Sequence, residues 1–202
     1  MPNFKKDNGE PTLFWVGFLF IIFLICCYCC FGFTSPCPQK GSGSNRRIQY
    51  DDSLKNRPVI AGKINPSVTL DKILAHGDDT KRFTQNTFTS IVGYVALVKR
   101  GGSETCNCHS KNKSDWDTHI EIILDAQHPG TKNAMICEAT RNGKIKYEDI
   151  AKLKGKKVKV SGWLFFDEEH KQNSANVNPT GTDLWRCTCW ELHPVTEIIE
   201  MK

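Results

Sequence analysis

A chain of 202 residues with 24% charged residues, 39% hydrophobic residues and a formal charge of +5 is too apolar for a disordered polyelectrolyte and too weakly basic to be a nucleic-acid binder on charge alone. It carries no Gly-x-x-x-x-Gly-Lys-Ser/Thr loop and no Gly-x-Ser-x-Gly elbow, which disfavours nucleotide-driven enzymes and serine hydrolases.

Residues 1–12 are a polar flank, and residues 13–33 form an uncharged, aromatic-rich run of 21 residues. As a helix rising 1.5 Å per residue, such a run spans the roughly 30 Å of a lipid bilayer's hydrocarbon. A retained single-pass signal-anchor is expected rather than a cleaved leader. The run exceeds the usual h-region of ~7–15 residues and ends in bulky residues and cysteines, not a small-x-small site. Lys5 and Lys6 before it nearly balance Lys40, Arg46 and Arg47 after it, so charge leans only slightly toward a cytoplasmic head. Cys26, Cys27, Cys29 and Cys30 read either as acylation sites or as small apolar residues of the span.

Residues 34–57 combine Pro, Gly, Ser and charge without an apolar period and are predicted to be a flexible tether. Residues 58–87 are a lead-in in which Val68, Leu70, Ile73 and Leu74 line one face of a short helix. Residues 88–202 then alternate as strands, predicted over 88–100 with a bend at Gly93, 118–125, 133–140, 156–166 and 185–199, with a short helix over 147–153. Three strands, a helix and two strands is the order of a five-stranded OB-like barrel with its helix between strands 3 and 4, so the fold class is an N-terminal transmembrane helix plus a mainly-β head.

Several strings in this head resemble a group of little-characterised bacterial exported proteins with an OB-like β domain. The ending Trp185-Arg186-Cys187-Thr188-Cys189-Trp190-Glu191-Leu192-His193-Pro194-Val195-Thr196 is the strongest. Gly93-Tyr94-Val95, residues 101–109, Asp117-Thr118-His119-Ile120-Glu121 and residues 162–167 with His170 accompany it. The resemblance covers about residues 88–198, implies an extracytoplasmic head and carries no activity. Similar proteins have Ala, Thr or Asn where this chain has Cys187 and Cys189, so a thiol role there is not a trait of the group.

Residues two apart on a strand share a face, which pairs His119 with Glu121 and Glu191 with His193. If the second and fifth strands lie near one another, these four could converge as a Zn²⁺ or Mn²⁺ site, with His109 and His170 arriving from loops and His170 as the catalytic acid or base. Solvent-facing polar residues on half-exposed strands are the plain alternative. Cys106, Cys108, Cys137, Cys187 and Cys189 are expected in disulfides or as buried thiols; two Cys-x-Cys pairs fit zinc poorly, because structural sites space their cysteines by two to four residues. Trp163, Trp185, Arg186 and Trp190 could offer a stacking groove for single-stranded nucleic acid or an anionic glycan, or simply fill the barrel. The connection opening at Asp167-Glu168-Glu169-His170 is longer than a hairpin needs and is a candidate recognition loop.

The leading reading is a membrane-anchored extracytoplasmic binding module with no ligand or protein partner identified. A metal-dependent hydrolase acting on phosphodiesters is the alternative, and a structural envelope protein the third.

Overall fold

Alternation decides the architecture: in each strand one set of side chains is apolar and closes inward. In the computed structural model, which describes residues 37–128 and 130–202, five strands form a closed barrel in the order β1-β2-β3-β5-β4. The strands are β1 (Phe88–Arg100), β2 (Thr118–Ile123), β3 (Met135–Ala139), β4 (Lys157–Phe166) and β5 (Trp190–Glu200). All neighbours are antiparallel except β3 and β5, which run parallel. The helices are α1 (Arg46–Lys55), α2 (Leu70–Leu74) and α3 (Tyr147–Ala151), the last falling between β3 and β4 as expected.

Ile91, Val95, Ile120, Ile122, Met135, Cys137, Val160, Leu164, Trp190 and Leu192 fill the barrel. The lead-in helix is shorter than its flanking sequence, but Val68, Leu70, Ile73 and Leu74 are all buried against that core, as their spacing required. Gly93 is not the bend. The β1–β2 register shifts between Val95 and Leu97, whereas Gly93 is where α2 approaches, since a Cβ there would lie 2.6 Å from Leu70 Cδ2 and from Ile122 Cγ2. The last strand starts at Trp190 rather than 185, because Arg186 and Cys187 bond instead to Ala175 and Ala134.

Residues 37–57, expected as a tether, are folded. Asn45 caps α1 by accepting from Ile48 N at 3.0 Å, and Asn56 Nδ2 donates to Cys106 O at 2.6 Å. Thr105 Oγ1 donates to Asp52 Oδ1 at 2.8 Å, and a disulfide joins Cys37 to Cys108 across 71 residues of sequence. The side chains α1 buries are Asp52 and Lys55. No apolar period can reveal a helix that packs through polar groups. The expected anchor at 13–33 lies outside the described residues, among which no helix is long and apolar enough to cross a membrane.

Of the five expected cysteines only Cys108 is bonded, and its partner Cys37 sits in the segment read as a tether. Cys106, Cys137, Cys187 and Cys189 are buried free thiols whose ionisation burial opposes, pushing Cys187 up to about 11 and Cys189 to about 12. Cutting the Cys37–Cys108 link by Cys37→Ser with Cys108→Ser is expected to cost about 2–4 kcal/mol, read as a lower urea midpoint, with the loss removed when wild type is measured under reducing conditions.

Candidate functional site

Register builds a polar layer on the outside of the barrel. Lys99 pairs with His119, and His119 with Glu138. Cys137 pairs with Leu192, so Glu138 and His193, one step on, emerge side by side. A second row runs Leu97, Glu121, Ile136, Glu191 and Phe165. α1 and the loop between β1 and β2 cover part of this face, and the connection between β4 and β5 brings Asp167, His170, Trp185 and Arg186 to it. That connection is held down by Asn176, whose Nδ2 donates to Asp79 Oδ2 at 2.9 Å.

The layer is highly charged and dry. Asp117, Glu121, Glu138, Asp167 and Glu191 are each at most 9% exposed, and among the described residues only Arg186 and Lys55 are buried permanent cations. Arg186, fully buried, donates from Nη1 to Asp167 Oδ2 at 2.6 Å and from Nη2 to Glu191 Oε1. Burial opposes charge on Asp167, yet His170 and Arg186 hold its carboxyl far below the usual range. Lys55 lies 3.4 Å from Glu104 and over the Phe165 ring, and the surrounding carboxylates keep its ammonium charged despite burial.

His119, Glu121, Glu191 and His193 lie in one buried layer, and the residue between the two pairs is Glu138. His119 Nδ1 is 3.1 Å from Glu138 Oε1, while its Nε2 stands 3.6 Å from Glu121 Oε1. His193 Nε2 is 3.2 Å from Asp117 Oδ2, and its Nδ1 is 3.6 Å from Glu138 Oε2 and 3.5 Å from Glu191 Oε2. Neither His119 Nε2 nor His193 Nδ1 has a hydrogen-bond partner among the described residues. Burial opposes the imidazolium of His193, but Asp117, Glu191 and Glu138 outweigh it and raise its pKa to about 10.

Among the described residues, Asp117, Glu138 and His193 form a set that could hold a metal, with ligand atoms within 4.8 Å of one another. Of the expected quartet only His193 belongs to it. His119 and Glu121 flank it, with His119 hydrogen-bonded to the second oxygen of Glu138, and Glu191 faces the same ring nitrogen of His193 as Glu138 does, Nδ1, while Asp117 faces Nε2. Asp117 continues the alternation of His119 and Glu121, and Glu138 is the lone carboxylate of an otherwise apolar strand; both signals were present in the sequence.

A cleft of about 290 Å³ opens over this layer, with Glu138, His119 and Glu191 on its floor and Lys99, His170 and Trp185 at its mouth. His170 Nδ1 lies 2.6 Å from Asp167 Oδ2 and its ring packs edge-on to Trp185 at 5.2 Å. His109 does not arrive; it is exposed on its loop.

The proposed stacking groove is not assembled. Trp190 is in the core against Phe166 and Phe83, with Nε1 donating to Asp79 O, so it has no free face. Arg186 is spent on its two carboxylates. Trp163 sits elsewhere, against Phe88 and under the Arg57 guanidinium. Only Trp185 reaches the cleft. No family model matches the chain, and no curated protein matches it.

Replacing Arg186 by Met is expected to cost about 3–5 kcal/mol at neutral pH, because Asp167 and Glu191 would be left buried without a counter-charge. The depressed Asp167 pKa adds stability that is complete above its ordinary value of 3.8 and lost as pH falls below it. The urea midpoint of wild type should therefore fall on acidification, and that of the variant should fall less.

Proposed function

We propose that the head is an OB-like, extracytoplasmic binding module, tethered through residues 13–33, whose working site is a divalent-metal centre in the buried layer beneath the outer-face cleft, which only Glu138 of its three ligands lines. The observation that carries this reading is the convergence of Asp117, Glu138 and His193, with two buried imidazole nitrogens left unpartnered beside carboxylates. Adjacent ligands of a tetrahedral ion bound at about 2.0–2.2 Å are roughly 3.3–3.6 Å apart. His193 Nδ1 stands at ion-pair distances of 3.6 Å from Glu138 Oε2 and 3.5 Å from Glu191 Oε2, spacings that also match such an edge.

Charge supports the same reading. Five buried carboxylates face two buried permanent cations and the imidazolium of His193, and a divalent ion that replaces its proton adds one further positive charge to the layer. A purely structural layer would gain stability from fewer charges, which argues against an inert envelope component. Two carboxylates and an imidazole are donors suited to Zn²⁺ or Mn²⁺, and none of the four free cysteines among the described residues belongs to the set. The strand order with α3 between β3 and β4 supports an OB-type barrel, and the Cys37–Cys108 disulfide supports an oxidising compartment.

Metal-dependent hydrolysis is the second reading, favoured by one arrangement. His170, oriented by Asp167 and partly exposed at the mouth, has the setting of a general acid or base.

Full-length protein in detergent, stripped and then titrated with Zn²⁺ or Mn²⁺, is expected to bind one equivalent. At a hundredfold excess over Kd it should gain about 2.7 kcal/mol, a melting-temperature rise of several degrees. Glu138→Gln should abolish the gain and Glu197→Gln should not. Wild type that retains no metal and shows no thermal response would refute the site.

A further inference from the structure

A second cavity, of about 320 Å³, lies beyond the metal cleft, where the β1–β2 loop meets the turn leading into α3. Arg100 lines both cavities and is the wall between them. None of the chemistry assigned so far uses the second one. Its lining combines the rings of Trp116 and Tyr147 with Arg100, Arg141 and Lys146.

Two polar groups there are unaccounted for. Thr140 is 3% exposed, and its Oγ1 has no hydrogen-bond partner among the described residues. Arg141 donates from Nη2 to Cys37 O at 2.9 Å, but its Nε is buried and equally unpartnered. A hydroxyl or guanidinium nitrogen buried without a partner is costly, and a ligand that accepts from it recovers that cost. Lys146 is exposed at the rim with no carboxylate within ion-pair distance among the described residues. The cation that does have one is Arg100, 2.9 Å from Glu148 and stacked 4.3 Å over the Tyr147 ring.

We infer that this cavity is a subsite for a nucleotide, an aromatic base carrying a phosphate. The base would lie against Trp116 and Tyr147, and the phosphate would take Lys146 and Arg141, with Thr140 Oγ1 donating to a ligand acceptor. Flat rings beside cations are the recognition chemistry of single nucleotides and of single strands alike. A neutral aromatic leaves the cations unused, and a bare anion leaves the rings unused. None of Asp117, Glu138 and His193 lines this cavity; the link between the two sites is Asp117 Oδ1, which accepts from Arg141 N at 3.3 Å.

Full-length protein in detergent, stripped of metal with EDTA, tests this by calorimetry with four probes: adenosine 5′-monophosphate, hexathymidylate, adenosine and inorganic phosphate. Saturable binding of the monophosphate or the hexamer, at least about tenfold tighter than adenosine or phosphate, is expected. Preference for the monophosphate assigns a mononucleotide pocket, and preference for the hexamer assigns a single-strand path. Lys146→Glu, on the exposed rim, should weaken binding about tenfold, and Thr140→Val, which keeps the side-chain volume, about three- to tenfold. Absence of saturable nucleotide binding, adenosine binding as tightly as its monophosphate, or nucleotide binding unchanged in both variants would overturn the assignment. Glu138→Gln should leave nucleotide binding intact, so a failed metal centre and a failed nucleotide subsite give different results.

Discussion

More negative than permanent positive charge is buried on one outer face of this barrel, and that imbalance governs what surrounds it. Asp117, Glu121, Glu138, Asp167 and Glu191 sit in a layer from which water is largely excluded, where an unpaired carboxylate costs far more than at a free surface. Each neighbouring element meets that demand. Arg186 is drawn fully inside to join two of the carboxylates, Lys55 comes down from α1, and His119 and His193 insert between the rest.

The imbalance also explains why a chain segment with no apolar period is ordered. Residues 37–57 are held by groups a hydrophobicity pattern ignores: the Asp52–Thr105 and Asn56–Cys106 hydrogen bonds, the Lys55–Glu104 pair and the disulfide from Cys37. Removing this cover would hydrate the layer and weaken every electrostatic interaction in it. The same low dielectric makes the layer costly in isolation, and the cleft beside His170 and Trp185 opens above it.

The barrel was legible because its strands carry period-two alternation and its turns carry glycine: 88–100 matches β1 in full, and the helix before β4 falls where Gly143 and Gly155 bracket it. The shared face of His119 and Glu121, and of Glu191 and His193, was legible for the same reason. What sequence alone could not supply was pairing. Only the parallel β3–β5 contact sets Glu138 beside His193, and a parallel partner leaves no turn in the sequence to announce it. Trp190 and Arg186 misled because composition shows that a side chain is aromatic or charged but not which way it faces; Trp190, opening the final strand, entered the core, and Arg186, in the connection before it, entered a buried ion triad. Cys37 was hidden for the reason α1 was, lying in a stretch whose order comes from polar contacts.

Crystals grown with Zn²⁺ and measured at the zinc absorption edge test the central claim most directly. The account predicts one strong anomalous peak within about 2.0–2.2 Å of side-chain ligand atoms from Glu138 and His193, in the layer beneath the cleft. A zinc-saturated crystal with ions only on the exposed surface, and with both imidazoles still paired to carboxylates, would contradict it.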